Sequence, residues 1–166
     1  MFRWLLFALL PIVLAGCATH PISKPLRTAA TGQPSFAEIT RAPSAYQGET
    51  IVVSGVVLGA FLAKEGGTVL EVLQVPADDT GRPTDPDRSQ GRLLVLSSER
   101  LDPAVYRPGR EVAVGGPIVR AETREVPGGG TLTYPVVEAR ELHLFPARVQ
   151  GAPSPFSIGI GIGVGF

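Results

Sequence analysis

The 166-residue chain has one cysteine, one methionine, one tryptophan and two histidines. A single thiol closes no disulfide and builds no thiolate metal site within the chain. Charge of either sign is also scarce in excess: 15 basic residues face 15 acidic ones, a formal charge of zero. That balance leaves no electrostatic footprint for a nucleic-acid partner. No apolar run reaches the ~20 residues that a membrane-spanning helix needs. Long helices are disfavoured too, because 20 glycines and 16 prolines punctuate the chain. With valine and leucine plentiful between them, the composition favours short strands joined by turns.

What is present begins with Met1 to Cys17. Arg3 precedes an almost unbroken apolar run from Trp4 to Val13, followed by Leu14, Ala15, Gly16 and the sole cysteine, Cys17. The order of charge, apolar core and small residues is that of a secretory signal. Leu14-Ala15-Gly16-Cys17 resembles the bacterial lipobox, in which the cysteine thiol is joined to diacylglycerol and becomes the acylated first residue. An ordinary signal with a chance cysteine is the alternative. On the lipobox reading residues 1–16 are a signal peptide, and no free thiol remains. The mature chain then carries a formal charge of −1 on 150 residues, enough for one domain with a real core. Ala18 stands where an aspartate would mark inner-membrane retention in enteric-type bacteria, so the outer membrane is expected.

Residues 17–34, with Pro21, Pro25, Thr28, Thr31 and Gly32, are expected to form a flexible lipidated tether. A domain follows over 35–148. Ser35 and Glu38 have the spacing of a capping box for a short helix to Tyr46, although Pro43 leaves a loop as the alternative. Strands are expected over Thr50–Ala63, Thr68–Val75, Gly91–Ser97, Arg110–Glu122 and Leu132–Phe145, with a helical turn or two in Ser98–Pro108. Gly55 and Gly59 inside the first strand suit a barrel corner. The class is therefore all-β: a small five-stranded OB-like barrel with a short helical connection, an open sandwich being the alternative. Residues 149–166 form a Gly/Ile-rich tail.

Several stretches occur in an order that resembles the Slp family of outer-membrane lipoproteins. They are Thr68-Val69-Leu70-Glu71-Val72-Leu73, Gly91-Arg92-Leu93-Leu94, Leu101-Asp102-Pro103-Ala104-Val105-Tyr106 and Val112-Ala113-Val114-Gly115-Gly116. The resemblance runs from the lipobox to about Phe145. It implies a starvation- or stress-linked envelope protein and brings no catalytic residue.

Candidate chemistry is sparse. Asp85, Asp87 and Ser89 imitate the start of a calcium loop, but the turn glycine and distal glutamate are absent at the proper offsets. A solvated loop is the expected reading. His20 lies in the tether, and His143 alternates with Leu142 and Leu144 as a half-exposed strand residue. Ser97 and Ser98 lack a nucleophile elbow. Glu71 and Glu138 do the work of a carboxylate pair only if they meet across the barrel. Phe61, Tyr134 and Phe145 would stack on a sugar or base from an open barrel face, yet core packing accounts for Phe61 and Phe145, and a wet strand start for Tyr134.

The tail alternates Ile158, Ile160, Ile162, Val164 and Phe166 with glycines, which puts all its bulk on one strand face. Ile160, Ile162 and Phe166 are the candidate partner contacts, and a disordered tail is the alternative. The sequence thus points to a non-catalytic lipoprotein with no catalytic or metal residues and no cofactor beyond the lipid on Cys17. Its partners are the outer membrane, through the acyl chains, and envelope proteins or glycans. A ligand- or oligosaccharide-binding module using the barrel face is the runner-up.

Overall fold

Buried apolar side chains at alternate positions mark the inward face of the first strand. In β1 (Thr50–Leu62), Ile51, Val53 and Val57 are buried in this way. The computed structural model describes residues 20–63, 66–125 and 128–148. The lipobox, Cys17 and the tail residues Ile160, Ile162 and Phe166 lie outside them.

Five further strands follow: β2 (Thr68–Gln74), β3 (Arg92–Ser97), β4 (Glu111–Glu125), β5 (Thr131–Glu138) and β6 (Glu141–Leu144). β1 pairs antiparallel with both β2 and β4, so the order β1-β2-β3-β5-β4 closes on itself. Only β3 and β5 run parallel, with Leu94 opposite Val136. This is the strand order of an OB barrel, as expected from the sequence. Ile51, Val57, Leu70, Val72, Leu93, Val95, Val112, Val114, Ile118 and Val137 fill its interior. Each contributes ~1.5–3 kcal/mol relative to exposure.

Two glycines permit closure. A Cβ at Gly55 would overlap the Leu73 carbonyl oxygen, and one at Gly116 would overlap that of Glu138. The register slips between Val57 and Gly59, which is the bulge that the mid-strand glycines suggested.

The fifth expected strand is split into β5 and β6. Ala139 donates its N–H to Leu96 O (2.9 Å) and Arg140 donates to Gly115 O (3.0 Å), so the chain steps from one run of β4 partners to another. The connection after β3 contains a single turn, where Asp102 O accepts from Val105 and Tyr106. Ahead of β1, helix α2 (Phe36–Arg41) carries the expected capping box. The Glu38 N–H donates to Ser35 Oγ, and the Ser35 N–H donates to Glu38 (2.9 Å). A 3₁₀ turn, Pro43–Tyr46, replaces the end of the expected helix. Phe36 and Ile39 join the barrel core.

The described part of the stretch expected to be a flexible tether, from His20 on, is folded onto the barrel. Helix α1 (Lys24–Ala29) has Pro25 in its first turn, where the missing N–H costs nothing. Ile22, Leu26 and Ala30 lie four apart and are buried. Ile22 and Leu26 cluster with Ala113 and Phe145, and a side chain at Gly115 would collide with Leu26. Beyond α1, the Gln33 carboxamide both donates to Val52 O (3.1 Å) and accepts from Val52 N (2.8 Å), satisfying a free edge of β1.

Candidate functional site

β1 outlasts its pairing with β4. Beyond Val57, whose N–H and C=O still bond Arg110 O and Gly109 N, its ladder partner is β2 alone, and the bulge before Gly59 re-aims the strand. Phe61 and Leu62 therefore leave the core and stand 51% and 70% exposed. The Phe61 ring lies over Gly59, where a Cβ would approach Cζ to 2.9 Å. These residues rim a groove of about 760 Å³ between the β1–β2 and β4–β5 hairpins. Val69 and Leu96 line its apolar side, and Arg120, Glu122 and Arg124 line its polar side. Its size lies within the ~300–1,000 Å³ of ligand clefts.

Three charges on one strand face build the polar wall. Arg120 donates to Glu122 Oε2 (3.0 Å), while Arg124 donates to Oε1 through Nη2 (2.7 Å) and Nε (2.8 Å). Burial pushes the Glu122 carboxyl up, but hydrogen bonds from Arg124 and Arg120 outweigh it and hold the group below its usual range. A depressed folded value means that the stabilisation is present above the unfolded value near 4.5 and is lost as pH falls through the folded value. The difference in melting temperature between the native chain and Glu122→Gln should be present at about pH 7 and should close as pH falls below 4.5 and through the lowered folded value. A gap that stayed constant across a calorimetric pH series would contradict this account.

Beside the groove a small apolar cluster lies on the outside of β3 and β5. Leu94, Tyr134 and Val136 are buried there. Tyr134 donates its hydroxyl to Glu71 (3.2 Å), and Arg92 donates to the same carboxylate oxygen (3.0 Å). Burial, then the Glu71 charge, pushes the Tyr134 phenol up. The Arg92 guanidinium is raised chiefly by its hydrogen bond to Glu71. Tyr134 is thus neither wet nor open to stacking.

The other sequence candidates separate. Phe61, expected to pack in the core, is in the groove. Phe145 is buried, edge-on to His143 with ring centroids 4.8 Å apart and with the Arg82 guanidinium 5.4 Å above it. Glu71 and Glu138 do not meet: Glu71 lies level with Leu94, Glu138 with Leu96, and β3 runs between them. Ser97 accepts from Glu99 N. Among the described residues no hydrogen bond joins a serine to a histidine. Asp85 caps the 3₁₀ turn Pro86–Arg88 by accepting from Asp87 N (3.0 Å), and Asp78 accepts from Thr80 and Arg82. No group of three or more metal-ligating side chains is placed together among the described residues.

Sequence reasoning missed a clasp at the two ends of the described chain. Glu111 accepts from Arg82 and Arg148, each at 2.7 Å. Arg148 also donates to Pro83 O and Arg82 to Pro146 O, each at 2.7 Å. At the other end, Ser23 N donates to Glu141 (2.7 Å) and holds that carboxyl below its usual range. The His20 ring lies over Gly81, whose φ of +77° and closeness to Nε2 (2.5 Å from a Cβ) admit only glycine. No local pattern announces contacts between residues this far apart.

Among solved structures, the chain is similar to the small single-stranded DNA-binding protein of Streptomyces coelicolor, with TM-score 0.38 and 16% identity over 59% of this chain and 94% of that one. It is similar to the same degree to the Plasmodium falciparum SSB in complex with ssDNA, with TM-score 0.35 and 13% identity over 58% and 94%. The fold assignment rests on the strand order itself. By sequence, the chain is 34% identical over 110 residues to the uncharacterized lipoprotein YeaY of Escherichia coli (strain K12), covering 66% of this chain and 55% of that one. It is 31% identical over 107 residues to outer membrane protein Slp of the same organism, covering 64% and 56%. The chain thus matches little more than half the length of either relative. The model of the outer membrane lipoprotein Slp family matches residues 14–158, from Leu14 through the whole barrel, and the chain belongs to that family of outer-membrane lipoproteins.

Proposed function

We propose that this chain is a non-catalytic binding module of the cell envelope. Lipid on Cys17 anchors it, and the groove between the two hairpins takes a segment of an envelope protein. The observation that carries this reading is the exposure of Phe61 and Leu62 at the rim of a cleft with one apolar and one charged side. Two adjacent large apolar side chains in water are a cost unless a partner covers them. The charge ladder opposite them is suited to fixing the register of a bound chain. Non-catalytic action is supported by how the polar groups are used: Glu71, Asp78, Asp85 and Glu111 each accept hydrogen bonds from the fold itself. The starvation or stress link implied by the family resemblance belongs to this proposal and is checked by protein abundance on entry into stationary phase.

A glycan strand is the second reading, favoured by the single exposed ring with charged neighbours, an arrangement suited to stacking on a sugar. Ile160, Ile162 and Phe166 remain proposed as a further partner contact. A photo-crosslinker at Leu62 in living cells separates the readings. A discrete protein adduct that is lost in Phe61→Ala supports the first. No adduct, together with thermal stabilisation of the purified protein by envelope glycans, supports the second. Neither result leaves the groove without a role.

A further inference from the structure

We infer that the barrel is held directly against its own membrane in a fixed orientation, with the patch around His20, Gly81–Pro83 and Arg148 at the lipid surface and the groove at the far end. This rests on Cys17 being the lipidated residue. Cys17 precedes His20 by three residues, and His20 is already packed over Gly81. Three residues span at most ~11 Å, so acyl chains on Cys17 place this patch within about that distance of the headgroups. The chain between the lipid and the fold is thus a short leash.

The groove lies away from the patch along two strands. On β1, Ser54 donates its hydroxyl to Gly81 O at the patch, and Phe61 of the groove follows it by seven residues. Likewise, β4 runs from Ala113 under α1 to Arg124 beside the groove and ends at Glu125. Twelve residues from Ala113 to Glu125 would span up to ~40 Å if straight. The stretches that build and flank the patch are mixed in charge, with Lys24, Arg27, Arg82 and Arg148 against Asp78, Asp79, Asp85 and Asp87, so charge does not set the orientation. Arg148, the last described residue, donates to Pro83 O and so belongs to the same patch.

The test uses the lipidated full-length protein in vesicles of about three parts phosphatidylethanolamine to one part phosphatidylglycerol, some lipids carrying a nitroxide on the headgroup. With Cys17 blocked by its thioether, Asp79→Cys and Glu125→Cys each supply a single thiol for a fluorophore, and both side chains are exposed. Loss of fluorescence at position 79 with none at 125 is the expected result. Equal loss at both positions, or greater loss at 125, overturns the orientation. Inserting about 20 Gly/Ser residues between Thr19 and His20 lengthens the tether to ~25 Å r.m.s. and should erase the contrast while the protein still sediments with vesicles. A contrast that survives the insertion overturns the leash. A Cys17→Ser chain that still incorporates lipid and sediments removes the underlying anchor reading instead, so the two failures are distinguishable.

Discussion

Cys17→Ser should remove the protein from the outer-membrane fraction. Buried methylenes are worth ~0.8 kcal/mol each; one acyl chain gives only reversible binding, whereas two or three make anchoring stable. No described helix is long and apolar enough to cross a membrane. The variant should be found as a precursor with its signal retained or in soluble fractions, and it should take up no labelled lipid. Fractionation combined with labelled palmitate checks this. Normal partition with label incorporated would place the anchor elsewhere than Cys17. The barrel should melt at an unchanged temperature in that variant, because Ile22, α1 and the strands begin after the anchor.

Gly116→Val should be the most damaging single substitution in the fold. Position 116 is on β4 opposite Ile51 of β1, where the ring closes, and the Glu138 backbone passes on its other side. An added Cβ meets the Glu138 carbonyl oxygen, with the Glu138 carbonyl carbon at 3.0 Å and Arg140 N at 3.2 Å. All three atoms are backbone, so no rotamer change relieves the clash. Overpacking costs ~1–3 kcal/mol where side chains can yield, and this position falls at or above the upper end. At roughly 4 °C per kcal/mol the melting temperature should drop by more than about 10 °C. Gly48→Ala, where φ is +93° but nothing lies within 4 Å, provides the contrast and should cost less. A Gly116→Val melting temperature within about 2 °C of the native value would mean that the barrel seam yields in a way its backbone contacts do not suggest.

The barrel was legible in the sequence because its determinants are local. Alternating burial in Thr68–Gln74, the continuous apolar run of β3, the interruption of a β-branched run by Gly55 and Gly59, and the Ser35–Glu38 spacing each specify geometry within a few residues. Helix α1 was a near miss. Ile22, Leu26 and Ala30 lie at helical spacing, and Pro25 suits a first turn, but prolines, threonines and a glycine around them read as a linker. The groove was not legible. Phe61 continues an apolar strand, and only the outcome of the bulge three residues earlier, together with the end of pairing to β4, puts its ring in water. Tyr134 failed for the opposite reason, since its partner Glu71 is 63 residues away in the chain. The strength of the Glu111 clasp likewise comes from arginines 29 and 37 residues distant.

That clasp also determines how the molecule would carry a mechanical load. Ser23 is tied to Glu141 at the start of β6, and Arg148 is tied to Glu111 at the start of β4. Tension applied between the lipid end and the C-terminal end would meet these polar links and the four-residue β6 first. The long β1, β4 and β5 pairings would remain slack. Stretching should therefore peel β6 and free Arg148 before any strand of the closed ring slides, which leaves the groove intact under strain.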